Sequence, residues 1–160
     1  MGRGATKANG NVWYQARINA SKWNERLSSR EGAAEALHMS VDAVTDAELG
    51  LSKVMPVDKA VLMADLYNAP QLLNHYCLHE CPIGKNLPVS DEVPGLAQVT
   101  VSLLKSMSVE HFQAYMQKLL DVADDGAIDE AEVPVVEDII RFLDQISVNA
   151  SKLKNVLSAR

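Results

Sequence analysis

Apolar residues recur at every third or fourth position along most of this chain, which is the spacing of amphipathic α-helices. The first run extends from Trp13 to Leu27 and predicts a helix that buries both tryptophans. Later runs are separated by short segments that contain Gly, Pro, Asn or Ser. The pattern therefore predicts an all-α protein.

The segment from residue 82 to residue 95 interrupts the helical pattern. It contains three prolines and two glycines and has little periodicity, which is typical of a linker. We predict a helical domain at residues 11–81 before this linker and a second helical domain at residues 96–160 after it. A chain of 160 residues is long enough for two small domains.

The stretch from Ser29 to Gly50 predicts two short helices joined by a tight turn. Ser28 has the spacing of a capping box at the start of the first helix, and Ser40 caps the second. His38 lies in the turn, where its tolerance of a positive φ angle favours a left-handed conformation. In a helix–turn–helix arrangement, the first helix holds the second rigidly, and the second can project into a groove of DNA.

Together with the neighbouring helices, this motif resembles the Cro/C1-type (XRE) family of helix-turn-helix transcriptional regulators of phages and other mobile elements of bacteria. The resemblance covers the chain from Trp13 to about Cys77. It implies a five-helix, lambda-repressor-like domain that binds double-stranded DNA, and a cytoplasmic homodimer that occupies an operator with two half-sites. The residues contain no membrane span and no catalytic motif, so we predict neither enzymatic activity nor a cofactor.

The family's roles, carried over by position, divide the candidate DNA-binding residues into two groups. Residues at helix starts and at flanking basic positions are expected to contact phosphates. This group comprises Arg17, Arg26, Ser29, Arg30, Ser40 and Lys53. Residues on the second helix of the motif are expected to face base edges. This group comprises Val41, Asp42, Ala43, Thr45 and Asp46.

The base-facing group departs from the family because it contains two aspartates and no basic residue. Phosphates repel carboxylates, so we expect binding that is weak or that depends on few base contacts. Asp42 alone is also explained as an acidic residue that stabilises the first turn of its helix. The alternative is a degenerate helix-turn-helix module, an adaptor or antagonist, that binds a protein partner through its acidic third helix.

Charge is unevenly distributed along the chain. The formal net charge is −6, yet residues 1–30 contain six Lys and Arg residues against one Glu. A basic segment beside the two-helix motif favours DNA as the partner, although an exposed basic helix face would have the same composition.

The last predicted helix begins at Pro134 and keeps an apolar spacing of three and four residues to its end. Its second half carries only a narrow stripe, which predicts either a dimer interface or the inside of an intramolecular bundle. The stripe consists of Ile146, Ala150, Leu153 and Leu157. The C-terminal helices are also candidates for binding a protein partner.

Two segments contain residue types that bind metals. His75, Cys77, His79 and Cys81 suit zinc by type, but alternate residues on a helix diverge, so packed or free thiols are favoured over a metal site or a disulfide. Residues 121–132 have nearly the spacing of an EF-hand loop, but Ala stands at its third position, and a helix stop followed by a capped helix is favoured. We therefore predict no bound metal.

Overall fold

The structure of the chain is a computed structural model that describes residues 7–52 and 54–158. Over these residues the chain forms helices and no β-strand, which confirms the prediction of an all-α protein. The chain divides between Leu87 and Pro88 into two compact units, and this division falls within the segment predicted to be a linker.

In its described residues, the first unit contains five α-helices around one core. They are α1 (Val12–Ala20), α2 (Arg30–Leu37), α3 (Val41–Leu49), α4 (Val57–Leu66) and α5 (Gln71–His79). Short 3-10 segments at Lys7–Gly10, Glu25–Ser28 and Gly84–Asn86 accompany them. Every helix contributes to the core, whose larger members are Trp13, Leu27, Leu37, Val44, Met63, Tyr67 and Leu72.

Helix α1 is shorter than predicted, and this changes the position of Trp23. The helix ends at Ala20, and the backbone at Asn24 is extended before the next 3-10 segment begins. Leu27 enters the core, whereas Trp23 points outward with 59% of its surface exposed. The prediction that both tryptophans are buried is wrong for Trp23, because the break in the helix removes the register that related it to Trp13.

The turn between α2 and α3 is closed by a left-handed residue. His38 has φ 51° and ψ 44°, which confirms the positive φ angle predicted for this position. The amide of Met39 donates a hydrogen bond to the carbonyl of Ala34 at 3.0 Å. This closure satisfies a carbonyl at the end of α2 and leads the chain directly into α3.

Serine side chains cap both of these helices. The hydroxyl of Ser29 accepts a hydrogen bond from the amide of Gly32 at 3.0 Å, and the hydroxyl of Ser40 accepts one from the amide three residues later at 3.1 Å. The cap of α2 is therefore Ser29 and not Ser28, because the helix begins one residue later than the capping-box spacing predicted. Each cap satisfies one amide in the first turn of its helix.

From Pro88 to Ser158, the second unit contains three α-helices. They are α6 (Leu96–Ser106), α7 (Val109–Val122) and α8 (Val133–Ser158). Both α6 and α7 pack against α8. The rings of Tyr115 and Phe142 stack at 4.1 Å between centroids, and Lys118 Nζ donates a hydrogen bond to Asp138 Oδ2 at 2.9 Å. None of the described helices is both long enough and apolar enough to cross a membrane.

Ser90 and Glu92, which belong to the segment predicted to be a linker, are bound to α8. The side-chain amide of Asn155 donates hydrogen bonds to the carbonyls of Ser90 at 2.8 Å and Glu92 at 3.0 Å. The hydroxyl of Ser151 also accepts a hydrogen bond from the amide of Ser90 at 3.1 Å. Buried polar side chains of α8 therefore satisfy the backbone of this segment, which makes it part of the second unit.

The second unit leaves much of its apolar surface uncovered. Among its described apolar residues, only Val99, Val122 and Ile139 are nearly fully buried. Four α7 residues that would be core in a closed bundle are exposed, namely Phe112, Met116, Leu119 and Leu120. They are exposed because α7 packs mainly against α8, which covers its apolar face only in part.

Candidate functional site

Helix α3 presents the residues that were predicted to face DNA bases. Val44, Ala47 and Glu48 are buried and fix one side of the helix in the first unit. All five predicted base-facing residues are at least partly accessible, and Val41 and Asp42 are exposed. The accessible surface of α3 therefore offers two carboxylates, one hydroxyl and short apolar side chains, with no cation of its own.

Glu48 connects α3 to α1 and α2 through two arginines. Its carboxylate is fully buried and accepts hydrogen bonds from Arg17 Nη2 at 3.1 Å and from Arg30 Nε at 2.7 Å, and Arg17 Nε also donates to it. Arg17 Nη1 donates to the carbonyl of Leu27 at 2.9 Å. Because two guanidinium groups share one carboxylate, this arginine–glutamate cluster keeps a net positive charge while its buried oxygens are satisfied.

Burial and charge both act on the titratable groups around Glu48. Burial lowers the pKa of Arg17, but the hydrogen bond to Glu48 and the charge of Glu48 outweigh burial, so the pKa lies above its ordinary value. Burial, followed by the negative charge of Glu48, raises the pKa of the nearby Tyr67. Arg17 therefore stays cationic and Tyr67 stays neutral at physiological pH.

This geometry corrects one of the predicted DNA contacts. Arg17 is only 3% exposed, and all three nitrogens of its guanidinium group are hydrogen-bonded, so it does not reach a phosphate. It holds Glu48 in place instead. The role of Glu48 was missed, although a charged residue four positions after Val44, on the buried side of α3, is a signal that a buried cation must lie nearby.

Arg30 differs from Arg17 because part of it stays accessible. It is the first residue of α2, it donates Nε–H to Glu48, and 31% of its side chain is exposed. Ser29 lies next to it at the cap of α2, and Ser40 caps α3. The guanidinium of Arg30, held by Glu48, therefore lies at the start of α2. Both α2 and α3 begin with a serine cap.

The remaining predicted phosphate contacts have different surroundings. Arg26 is exposed and pairs with Glu35, with 3.4 Å between the nitrogen and the oxygen. Such exposed pairs are weak, so the guanidinium of Arg26 can exchange this partner for a phosphate. Lys53 lies outside the described residues.

A cleft of about 690 Å³ opens beside α3, between the α2–α3 turn and the start of α4. Three predicted DNA-contacting residues line it, namely Ser40, Ala43 and Asp46. Its apolar lining comes from Met39, Val54, Met55 and Pro56. Sequence patterns did not predict this cleft, because it exists only where the loop after α3 approaches the turn before it.

The predicted dimer stripe lies partly on the surface of the second unit. Ile146 and Ala150 are half-buried, whereas Leu153 and Leu157 are 39% and 66% exposed. A groove of about 480 Å³ runs between α6 and α8 at this end of the unit. Apart from Lys154, its lining is apolar and consists of Leu96, Leu103, Ala150, Leu153, Val156 and Leu157.

The residues considered for metal binding have different surroundings, and the rings of His75 and His79 lie 4.3 Å apart between their centroids. Cys77 and Cys81 are free thiols, and neither belongs to a metal-holding cluster in the described part of the chain. In the acidic loop, the carboxylate of Asp129 accepts hydrogen bonds from the amides of Ala131 and Glu132. This carboxylate therefore holds the turn that precedes α8.

Comparisons with models of protein families, with curated proteins and with solved structures find no match to this chain. We therefore infer its function from the residues and contacts described above.

Proposed function

We propose that the first unit is a helix-turn-helix domain of the XRE type and that the chain is a bacterial or phage transcriptional regulator that binds double-stranded DNA. The observation that carries this proposal is the position of Arg30, which Glu48 holds at the start of α2 with part of its side chain exposed. A cation fixed at an amino-terminal helix turn suits a DNA phosphate.

Two further features support a phosphate contact at this place. The amino-terminal turns of α2 and α3 carry partial positive charge and amides that have no partner within the helix. Arg17 compensates the charge of Glu48, so the charge of Arg30 remains available to an anion. Because Arg30 is already held in position, little side-chain entropy is lost when a phosphate binds.

The surface of α3 supports a limited reading of bases. If α3 enters the major groove, the methyl groups of Val41 and Thr45 suit thymine, and the carboxylates of Asp42 and Asp46 suit the amino group of cytosine. The same carboxylates are repelled by the phosphates on either side. We therefore propose that phosphate contacts supply most of the affinity and that few bases are discriminated.

We further propose that the chain acts as a homodimer through the groove between α6 and α8. The exposed residues Leu153 and Leu157 continue the apolar spacing of a helix that packs against another helix. A second copy would bury apolar surface that the second unit leaves uncovered, and it would bring two first units to one DNA molecule. Two-fold symmetry then calls for an operator with two half-sites.

The test of DNA binding is selection from a pool of randomised duplexes at low and moderate salt, with sequencing of the bound fraction. We expect a short palindromic motif. Arg30→Ala should lower the affinity about equally for all sequences, whereas Thr45→Ala should change the preference among them. Arg141→Ala removes an exposed arginine from the second unit and is the matched control.

The proposal is contradicted if the chain binds no duplex even at low salt. It is also contradicted in its docking geometry if Arg30→Ala binds as well as the wild type. Because Glu48 keeps Arg17 as a partner in this variant, the first unit should stay folded, and its circular dichroism spectrum checks this.

A second candidate function is favoured by the cleft beside α3. Its apolar lining and the carboxylate of Asp46 suit a protein segment with an apolar anchor and a neighbouring Lys or Arg. Asp42 is exposed and adds negative charge on α3, whereas the carboxylate of Asp58 is paired at 3.6 Å with Lys59, which also lines the cleft. The chain would then be an adaptor or antagonist.

Selection of random peptides against the full chain distinguishes this second candidate. We expect peptides that combine an apolar residue with Lys or Arg, and their binding should be lost in Asp46→Asn and kept in Asp65→Asn, an exposed aspartate away from the cleft. Peptides without basic residues, or equal binding by the two variants, would contradict it.

A further inference from the structure

We infer that Trp23 contacts the DNA backbone. The DNA interface would then extend from α2 and α3 to the segment that follows α1, residues 21–28. This inference rests on the proposed function, because it requires that the first unit binds DNA. The periodicity of the sequence predicted that Trp23 is buried in the core.

The exposure of Trp23 sets it apart from the other tryptophan. Its surface is 59% exposed, whereas that of Trp13 is 3% exposed. A tryptophan left in water forgoes the large stabilisation that burial of its rings would provide. Tryptophan is also among the residues that contribute most strongly to binding interfaces. A large exposed indole is therefore a candidate for contact with a partner.

The segment that carries Trp23 is fixed by hydrogen bonds. The amide of Trp23 donates to the carbonyl of Ala20 at 3.2 Å, and the amide of Asn24 donates to the same carbonyl at 3.0 Å. Four residues later, Leu27 is completely buried in the core. The indole is therefore presented from a constrained backbone, which reduces the entropy lost on binding.

The same segment lies against the first turn of α2. A Cβ atom at Gly32 would stand 2.0 Å from the carbonyl oxygen of Arg26, so the close approach of the two backbones requires glycine. Through one of its carbonyls the segment is also bonded to Arg17, a member of the arginine–glutamate cluster. Arg26, three residues after Trp23, thus lies beside the helix start that presents Arg30, and the inference places the duplex across both.

Two cations flank the indole in the sequence, and one exposed carboxylate, that of Glu25, lies between the indole and the second cation. Lys22 is exposed, with its ammonium group 3.0 Å from Asn19 Oδ1, and the side chain of Arg26 is 67% exposed. An indole N–H can donate to a phosphate oxygen while the ring lies against a deoxyribose, and the neighbouring cations suit adjacent phosphates. These contacts are to the sugar–phosphate backbone, so they should add affinity without sequence preference.

Acrylamide quenching of tryptophan fluorescence tests the inference on the full chain. Trp13→Phe leaves Trp23 as the sole reporter, and Trp23→Phe leaves Trp13. With a mixed-sequence duplex at low salt, we expect the quenching constant of Trp23 to fall several-fold and that of Trp13 to stay unchanged. Acrylamide is chosen because it is neutral, whereas bound DNA would repel an anionic quencher from the whole surface. If Trp13→Phe does not fold, the wild-type chain serves, since buried Trp13 is quenched little.

Affinity measurements provide a second readout. Trp23→Ala should weaken binding about fivefold or more for all duplex sequences. The melting temperature should change little, because the side chain is mostly exposed. Val61→Ala truncates another apolar residue that is 50% exposed, on α4, and should bind DNA as the wild type does.

The outcomes separate this inference from the proposed function. If the wild type binds DNA while Trp23 remains equally quenchable and Trp23→Ala binds normally, the inference is overturned and the proposed function stands. If the wild type binds no duplex at low salt, both are overturned. Protection of Trp23 by a protein but not by DNA would also overturn the inference.

Discussion

Arg30 and Glu48 lie 18 positions apart in the sequence, yet Arg30 Nε donates a hydrogen bond to Glu48 Oε2 at 2.7 Å. This bond ties the start of α2 to the end of α3. Arg17 completes the cluster from α1 and is itself buried. The geometry of the proposed DNA-binding surface is therefore linked to a buried ion pair, and removing that ion pair should affect both stability and binding.

We predict that Glu48→Gln lowers the free energy of unfolding of the first unit by about 3 kcal/mol, because it leaves the buried guanidinium of Arg17 without a counter-charge. Both tryptophans lie in the first unit, so fluorescence-monitored urea unfolding reports on this unit. Glu35→Gln is the control, since the Glu35–Arg26 pair is exposed and should contribute less than about 0.5 kcal/mol. If the two substitutions lowered the free energy of unfolding equally, burial of the Glu48 ion pair would not be what makes it stabilising.

The left-handed conformation of His38 predicts opposite effects of two substitutions at one position. His38→Gly should raise the free energy of unfolding by up to about 1 kcal/mol, because glycine adopts a positive φ angle without a steric penalty. His38→Val should lower it by about 1 kcal/mol or more, since a β-branched residue is strained at φ 51°. Urea unfolding followed by tryptophan fluorescence measures both, and a Val variant as stable as the Gly variant would refute the turn geometry.

The ion pair between Lys118 and Asp138 predicts an acid-sensitive contact between α7 and α8. The hydrogen bond from Lys118 lowers the pKa of Asp138 below its ordinary value of 3.8. A lowered pKa in the folded state contributes stability above the ordinary pKa, and this contribution is lost as pH falls through the lowered pKa. We expect the wild type to melt at a higher temperature than Asp138→Asn at neutral pH.

The difference in melting temperature should shrink as the solution is acidified below pH 3.8, because the wild-type carboxyl then becomes protonated. Circular dichroism melting curves at several pH values measure it. Asp144→Asn, which removes an exposed carboxylate from the same helix, is the matched control. A difference that is constant with pH would show that Asp138 acts through something other than its charge.

The proposed dimer predicts that a charge placed in the groove between α6 and α8 separates the subunits. In the variant with both Leu153→Glu and Leu157→Glu, two carboxylates would have to be buried at the interface, so we expect a monomer in sedimentation analysis. Ile128→Glu, at an exposed apolar residue outside the groove, should leave the oligomeric state unchanged. Dimerisation of the double variant would place the interface elsewhere.

Local signals in the sequence predicted much of the first unit. Serine caps, a turn residue that tolerates positive φ and a terminal glycine all act on the backbone within a few positions, so their effects are visible without the fold. From these signals, the sequence predicted the ends of α2 and α3 to within one residue of their positions in the structure. Helix α1 was less predictable, because the periodicity that seemed to connect Trp13 with Leu27 continues across a break in the backbone.

By itself, the sequence determined that the chain is all-α, that an interruption lies between two helical parts, and where α2 and α3 meet. Periodicity and capping decide these features over three or four residues. Only the tertiary structure decided that Arg17 is buried on Glu48 while Arg30 stays accessible, and that Ser90 and Glu92 bind to α8. Which of several similar charges or apolar faces is covered depends on contacts between residues far apart in the sequence, and periodicity carries no information about those contacts.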